Sequence, residues 1–402
     1  MDILKEVLDE IKPSEDEAKE VMSKVDAFIK SIKIKDAEIV LGGSGAKGTW
    51  LKEAFDIDLF VRFDDSYHDK DISLILEKAI KRFNPEKFHG SRDYFQVKTE
   101  TFTYEIVPVI KIKEAKKAFN ITDASPLHAE WVKKNSSQKV KDDIRLAKKF
   151  FKAHELYGAE SYIKGFSGYV LEILTIHYGG FIKLLKASKK WKKKQVIDLA
   201  KHHKDVFFEV NNSKLESPII VIDPVQPGRN AAAALSLEKF KLLQNVANKF
   251  LKTPSKDFFE KTKLDLEKLK KLKNTIVLEV IPFEGKEDVV GCKIEKAFNF
   301  FMKELDKKEF KIKKKGWEWD DKVLFYYQVE KEVLSHEQLI YGPPVEMEHH
   351  AQEFKKKYKH VKEVKGKLVA KIKRKYISFD ILIRDVKISQ YLKDKVKSVR
   401  II

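Results

Sequence analysis

Cysteine is almost absent: Cys292 is the single thiol in 402 residues. An intrachain disulfide is therefore excluded, and the chain reads as intracellular, with a cytoplasmic location expected. Long apolar runs are missing as well. No stretch approaches the ~18 uncharged apolar residues of a membrane span, and Met1-Asp2-Ile3-Leu4-Lys5 lacks a signal-peptide pattern, so no membrane partner is expected. There is no internal repeat and no long low-complexity tract, while 43% hydrophobic residues suffice for several cores. Acidic charge is in deficit: 81 Lys and Arg against 62 Asp and Glu leave a net charge of +19. That excess points to a polyanion, with nucleic acid favoured because no amphipathic membrane anchor stands out. A lysine-rich composition of the source proteome would account for part of it. The length suggests about two to four domains.

What is present is organised around Gly42-Gly43-Ser44-Gly45-Ala46-Lys47-Gly48-Thr49-Trp50, followed by Asp56-Ile57-Asp58-Leu59-Phe60-Val61. The apolar run Ile39-Val40-Leu41 leads into the small-residue turn, and Ser44 is placed to cap a short helix. Residues 56 to 63 alternate as a strand does, which puts Asp56 and Asp58 on one face and Ile57 and Leu59 on the other. Two carboxylates fixed side by side repel unless a cation sits between them, and Mg²⁺ is the hard cation that oxygen ligands suit. The turn offers backbone N–H groups and a hydroxyl, which is the chemistry of a phosphate cradle. Either half alone reads as an ordinary turn or a solvated strand edge. Together, in this order, they form an apparatus for metal-assisted nucleotidyl transfer.

The rest of the chain reads as an α/β multidomain protein. Two helices broken near Pro13-Ser14 fill residues 1 to 33, with Ser14 capping the second and Ala18, Val21, Met22, Val25 and Phe28 packing on a sheet. A helix near 71 to 83 and strands near 93 to 99 and 102 to 109 follow. From 125 to about 252 the pattern is mainly helical, interrupted by the strand-like run Ile219-Ile220-Val221-Ile222. Beyond it, strand (275 to 281), helix (287 to 306), strands (309 to 315 and 323 to 329), helix (346 to 358) and strands (367 to 373 and 376 to 384) suggest a ferredoxin-like unit. The expected division is a catalytic part (1–124), a central helical part (125–255) and a basic α+β part (256–402). Basic clusters beside aromatics, Lys313-Lys314-Lys315-Gly316-Trp317 and Lys355-Lys356-Lys357-Tyr358, suit phosphate tracking and base stacking, or serve as a solvated face. No zinc site is expected at His336-Glu337, His202-His203 or His349-His350, for want of completing ligands.

The Gly-Ser turn, short helix and Asp-x-Asp strand resemble the polymerase-β-like nucleotidyltransferases, and the Thr49-Trp50-Leu51 continuation is similar to the archaeal, class I tRNA nucleotidyltransferases. Tyr157-Gly158-Ala159-Glu160, Gly165-Phe166-Ser167-Gly168-Tyr169 and Asp223-Pro224-Val225 with Arg229-Asn230 recur in that family in the same order. The resemblance implies template-independent transfer of CMP and AMP from CTP and ATP to the 3′ end of tRNA. It implies Mg²⁺ held by Asp56, Asp58 and a third carboxylate, here Glu105 where the family usually has aspartate. It also implies that Ser44, Lys47, His128, Lys148 and Tyr157 hold the nucleotide, with Lys47 replacing a family arginine, and that Arg229 reads the base. The basic C-terminal part, Lys313, Lys314, Lys315 and Trp317 included, would face tRNA. The alternatives are another polymerase-β-like RNA nucleotidyltransferase of the poly(A) or oligoadenylate type, and a basic RNA-binding protein without activity. The oligomeric state stays open, a homodimer included.

Overall fold

The structure, a computed structural model, describes residues 2–52 and 56–402. The chain forms two compact units, residues 1–262 and 263–402. In the first, helices α1 (Asp2–Ile11) and α2 (Glu15–Ser31) precede strand β1 (Ala37–Leu41), the short helix α3 (Gly43–Lys47) and strand β2 (Ile57–Phe63). Ser14 and Glu17 cap α2 reciprocally, each side chain taking the other's backbone N–H. The expectation that Ser44 caps α3 is not met. Gly42 is the N-cap and Ser44 lies inside the helix.

Helix α4 (Ile72–Ile80) and strands β3 (Glu86–Phe88), β4 (Tyr94–Lys98) and β5 (Thr103–Ile110) complete a five-stranded sheet of order β1-β2-β5-β4-β3. β2 runs antiparallel to β1 and parallel to β5, so it is an interior strand. Its faces differ sharply. Ile57, Leu59, Val61 and Phe63 are fully buried and pack with Val25 of α2 and Tyr104 of β5, where the Phe28 ring stacks at 3.8 Å. Asp58 and Phe60 look the other way, beside Val107 and Val109 of β5. Pro108 is tolerated in β5 because the pairing with β4 ends at Ile106, leaving no neighbour there to demand its missing N–H.

Helices α5 (Ser125–Asn135), α6 (Gln138–Ala153), α7 (Gly168–Tyr178) and α8 (Phe181–Ser188) come next, with strand β6 (Gln195–Ile197), helix α9 (Val206–Glu209), strand β7 (Ile219–Val221) and helix α10 (Leu237–Lys252). Their core is aromatic. The Phe150 ring meets Phe181, Phe250 and Phe259 edge-on at 5.4 to 5.7 Å. Each such buried ring contributes about 1.5–3 kcal/mol by transfer from water, enough to hold α6, the element that carries Lys148, at a fixed height.

The second unit contains helix α11 (Leu266–Lys271), strand β8 (Thr275–Ile281), helix α12 (Glu287–Lys307), and strands β9 (Ile312–Trp319), β10 (Val323–Val329) and β11 (Glu337–Pro344). Helix α13 (Glu348–Lys357), strands β12 (Val361–Val364) and β13 (Lys367–Lys373), helix α14 (Phe379–Val386) and strand β14 (Ser398–Ile401) follow. The order β14-β8-β10-β9, antiparallel throughout, is the ferredoxin-like order of the four strands. Two expectations are corrected. The segment expected as a strand over 376 to 384 is helix α14, and it supplies the second helix of the ferredoxin-like unit. The helix at 348–357 belongs instead to an insertion whose strands form a separate sheet, β11-β13-β12.

Candidate active site

The acids come from the two parallel interior strands. Asp58 lies directly opposite Glu105 in the β2–β5 register, so both project from the face that the apolar core leaves open. Asp56 sits just before β2 and is exposed. Burial pushes the Asp58 carboxyl up to about 6, Lys47 and Lys148 pull it down, and the charge of Asp56 raises it. The two glycines of the turn serve this carboxylate. A Cβ at Gly43, whose φ is +50°, would stand 1.6 Å from Asp58 Oδ2, and one at Gly42 would meet the Phe60 ring at 2.3 Å. Space is thus cleared over an acid whose burial penalises its own charge. Oxygen ligands in such a setting suit a hard divalent cation, which would relieve the repulsion between Asp56 and Asp58.

Among the described residues, the set of possible metal ligands converging within 4.8 Å is His349, His350 and Glu353, all exposed on α13. Asp56, Asp58 and Glu105 are spread more widely.

Beside the acids lies a cluster of buried charge. Lys47 at the end of α3 is 9% exposed and places Nζ 2.7 Å from Glu172 Oε2 on α7. Lys148 of α6, 4% exposed, donates to Glu172 Oε1 at 2.9 Å and to Thr49 Oγ1 at 3.0 Å, and Thr49 donates to Glu172 Oε1 at 2.8 Å. Burial alone would raise the Glu172 carboxyl, but Lys148 and Lys47 hold it down at about 2. Burial lowers the Lys148 ammonium, Glu172 opposes that, and Lys47 adds to it. The loop after α3 is pinned by Arg145 of α6, which donates to the carbonyls of Trp50 at 3.0 Å and Gly48 at 2.8 Å.

A second cluster centres on Asp223, which is wholly buried. Its Oδ2 accepts from Arg229 at 2.8 Å and its Oδ1 from the Tyr169 hydroxyl at 3.0 Å. His128 of α5 brings Nε2 within 3.2 Å of Oδ2, outside hydrogen-bond alignment, and stacks on Tyr169 at 4.4 Å. Burial would raise the Asp223 carboxyl, yet the contacts with His128, Val225 and Arg229 keep it well below the usual carboxylate range. Tyr169 joins the clusters, because Lys47 Nζ also lies 5.4 Å from its ring centre. Tyr157 is largely enclosed, with burial and the charge of Glu172 pushing its hydroxyl well above 10. A Cβ at Gly168 would stand 2.7 Å from that hydroxyl.

The first unit therefore gathers Ser44, Lys47, Asp56, Asp58, Glu105, His128, Lys148, Tyr157 and Arg229 around the sheet's open face and the helices beside it. Glu172, Tyr169 and Asp223 organise these side chains and were not among the sequence candidates. The signal for Glu172 is a single carboxylate within the apolar run Val170-Leu171-Glu172-Ile173-Leu174, a position that demands a cationic partner. In the second unit Lys313, Lys314 and Lys315 are exposed on β9, an edge strand, while Trp317 packs half-buried against the core of its sheet. No helix among the described residues is long and apolar enough to cross a membrane.

Three family models match the chain. They are a nucleotidyltransferase domain over residues 22–128, the second domain of tRNA nucleotidyltransferase over 142–260, and the C-terminal domain of CCA-adding enzymes over 279–398. The chain is 41% identical to the CCA-adding enzyme of Nanoarchaeum equitans over 280 residues, 68% of this chain and 69% of that protein. It is 34% identical to the CCA-adding enzyme of Methanocaldococcus jannaschii over 411 residues, 96% of this chain and 90% of that protein. Among solved structures, the Cid1 poly(U) polymerase with MgATP aligns at a TM-score of 0.51 and 16% identity, covering 65% of this chain and 98% of that one. That last likeness is one of fold.

Proposed function

The chain belongs to the CCA-adding enzymes, and from that membership we propose that it adds CMP, CMP and AMP in turn to the 3′ end of tRNA without a template. In each step the terminal hydroxyl oxygen of the tRNA forms a bond to the α-phosphorus of CTP or ATP. The bond from that phosphorus to the β-phosphate breaks, and pyrophosphate leaves.

Asp56, Asp58 and Glu105 would hold Mg²⁺, which when bound acidifies the attacking hydroxyl and neutralises the leaving pyrophosphate. The remaining work falls to the chain's own side chains. Lys47 and Lys148 offer ammonium groups to the triphosphate, and Ser44 a hydroxyl to its terminal phosphate. His128 and Tyr157 hold the triphosphate and ribose. Arg229 is 39% exposed while one of its NH₂ groups is fixed by Asp223, so the outward donors of its guanidinium meet the edge of the incoming base in a set direction. The reading divides the chain into a catalytic part (1–124), a central part (125–255) and a tRNA-facing part (256–402), with Lys313, Lys314, Lys315 and Trp317 in the last. The oligomeric state stays open in this reading, a homodimer being one outcome of a light-scattering measurement.

The observation that carries the proposal is Asp58 opposite Glu105 in parallel register, beneath Gly43, whose missing Cβ leaves room for the carboxylate. The test is incorporation of labelled CTP and ATP into tRNA trimmed of its 3′ end. Incorporation of both supports the reading, and failure with both removes it.

A further inference from the structure

Glu172 touches none of the reacting atoms of the proposed reaction. Yet its carboxylate is 1% exposed and accepts from three donors, Lys47, Thr49 and Lys148. We propose that Glu172 is a positioning residue for the nucleotide's triphosphate: it fixes Lys47 and Lys148 at one spacing, so the anionic tail meets a preassembled pair of cations. The proposal rests on the reading of these lysines as triphosphate contacts.

The physical case begins with cost. An ammonium group taken out of water without a counterion loses its proton rather than remain charged. Lys47 and Lys148 are both buried and repel each other, so each needs the single carboxylate between them. One anion against two cations leaves this trio itself with a net positive charge, which is the sign a triphosphate requires. Direction comes from the same contact. Lysine has three rotatable donors and lacks the rigid fork of arginine, so a carboxylate oxygen at 2.7 Å supplies the aim that the side chain itself lacks. Glu172 and Tyr169, three residues apart, share one face of α7, and Lys47 lies against both. Thr49 ties the loop behind α3 to the same carboxylate. The charged and titratable groups around the cluster are Lys47 from α3, Lys148 and Lys152 from α6, Tyr169 from α7, Tyr157 with Glu160 from the loop before it, and Asp58 with Asp56 at β2.

With a neutral residue at 172, Lys148 keeps its burial and its repulsion from Lys47 but loses its counterion. Its proton then leaves more readily, and affinity for a triphosphate falls as the pH rises. The test is CTP binding by calorimetry at pH 7, 8 and 9, with divalent ion and without tRNA. The quantity read is the Kd of each variant divided by that of the unaltered protein at the same pH. For Glu172→Gln the ratio is expected at about tenfold at pH 7, climbing by up to about tenfold per unit above the pKa of the freed amine. For Glu172→Asp, which keeps the charge, the ratio is expected to stay flat. A flat ratio in Glu172→Gln would reduce Glu172 to a structural role and overturn the proposal, as would unaltered binding. If the glutamine variant does not fold, ¹³Cε-lysine NMR of the unaltered protein decides: Lys148 is expected to stay protonated through pH 8, and its deprotonation below that pH overturns the proposal. The NMR titration uses no nucleotide, so it tests Glu172 apart from the function. Absence of any CTP binding by the unaltered protein would overturn both.

Discussion

Asp58 combines two properties that conflict in an ordinary core residue: it is half-buried on the sheet, and the proposed reading needs it charged to hold a metal. Its carboxyl is pushed up to about 6, so folding binds its proton more tightly than the unfolded chain does and the anion is destabilising at neutral pH. Asp58→Asn is therefore expected to abolish nucleotide addition while raising the melting temperature, measured with a chelator present, by roughly 2–4 °C for each kcal/mol relieved. Near-normal turnover in a folded Asp58→Asn protein would remove the acid from the chemistry. In the proposed reading Arg229 works by direction rather than by proximity to the reacting atoms. Arg229→Ala is expected to blur the preference for CTP and ATP over UTP and GTP, about 1–3 kcal/mol of discrimination, with a smaller loss of total incorporation. A competition assay with all four nucleotides reads this directly, and an unchanged preference would exclude the role. At this scale the sequence was informative where chemistry is local. Asp56, Asp58 and the glycine turn fall within seventeen residues of chain, and alternation along β2 turns Asp58 away from buried Ile57 and Leu59. Glu172 meets Lys47, and Asp223 meets His128, more than ninety residues away in sequence, so no spacing rule reaches those two pairs.

Between elements, the decisive relation is the β2–β5 pairing. Parallel register sets Asp58 against Glu105, and a slip by one residue would turn the glutamate into the apolar layer where Tyr104 and Ile106 now pack. Glu105→Asp is expected to keep substantial single-turnover activity and Glu105→Ala to lose most of it at unchanged stability. A structural glutamate gives the reverse, a small loss of melting temperature in both variants and near-normal chemistry. In the second unit, β9 presents Lys313, Lys314 and Lys315 at the edge of its sheet, where charge also prevents pairing with a foreign strand. Replacing all three with alanine is expected to weaken tRNA binding and to flatten the log-log salt dependence by about 0.9 per lost phosphate contact. An unchanged slope would leave these lysines with the edge-protecting role alone. Helix α14 shows how a local pattern misleads. Phe379, Ile381 and Ile383 alternate like a strand, but Ile381 is 55% exposed and the buried set is Phe379, Leu382, Ile383 and Val386, spaced as a helix requires. The ferredoxin-like order survived that misreading because β8, α12, β9 and β10 were each locally clear, whereas the β11–β13 insertion carries no local sign of being separate.

Across the whole molecule, an excess of positive charge accompanies a site whose own charges are closely matched. The buried cations Lys47 and Lys148 lean on Glu172, Arg229 leans on Asp223, and the net +19 lies with the many exposed lysines. In the proposed reading, capture of a polyanionic substrate and precise orientation at the acids thus fall to different residues. Composition announced the first, while the second needed the fold. The measurement that tests the central claim most directly is sequencing of the product's 3′ ends. Trimmed tRNA is incubated with the protein, a divalent ion and all four nucleotides at equal concentration. Termination after C, C and A, in that order, is the expected result. Homopolymer tails, or ends carrying U or G, would contradict it and place the chain with the polymerases that share its fold but not its product.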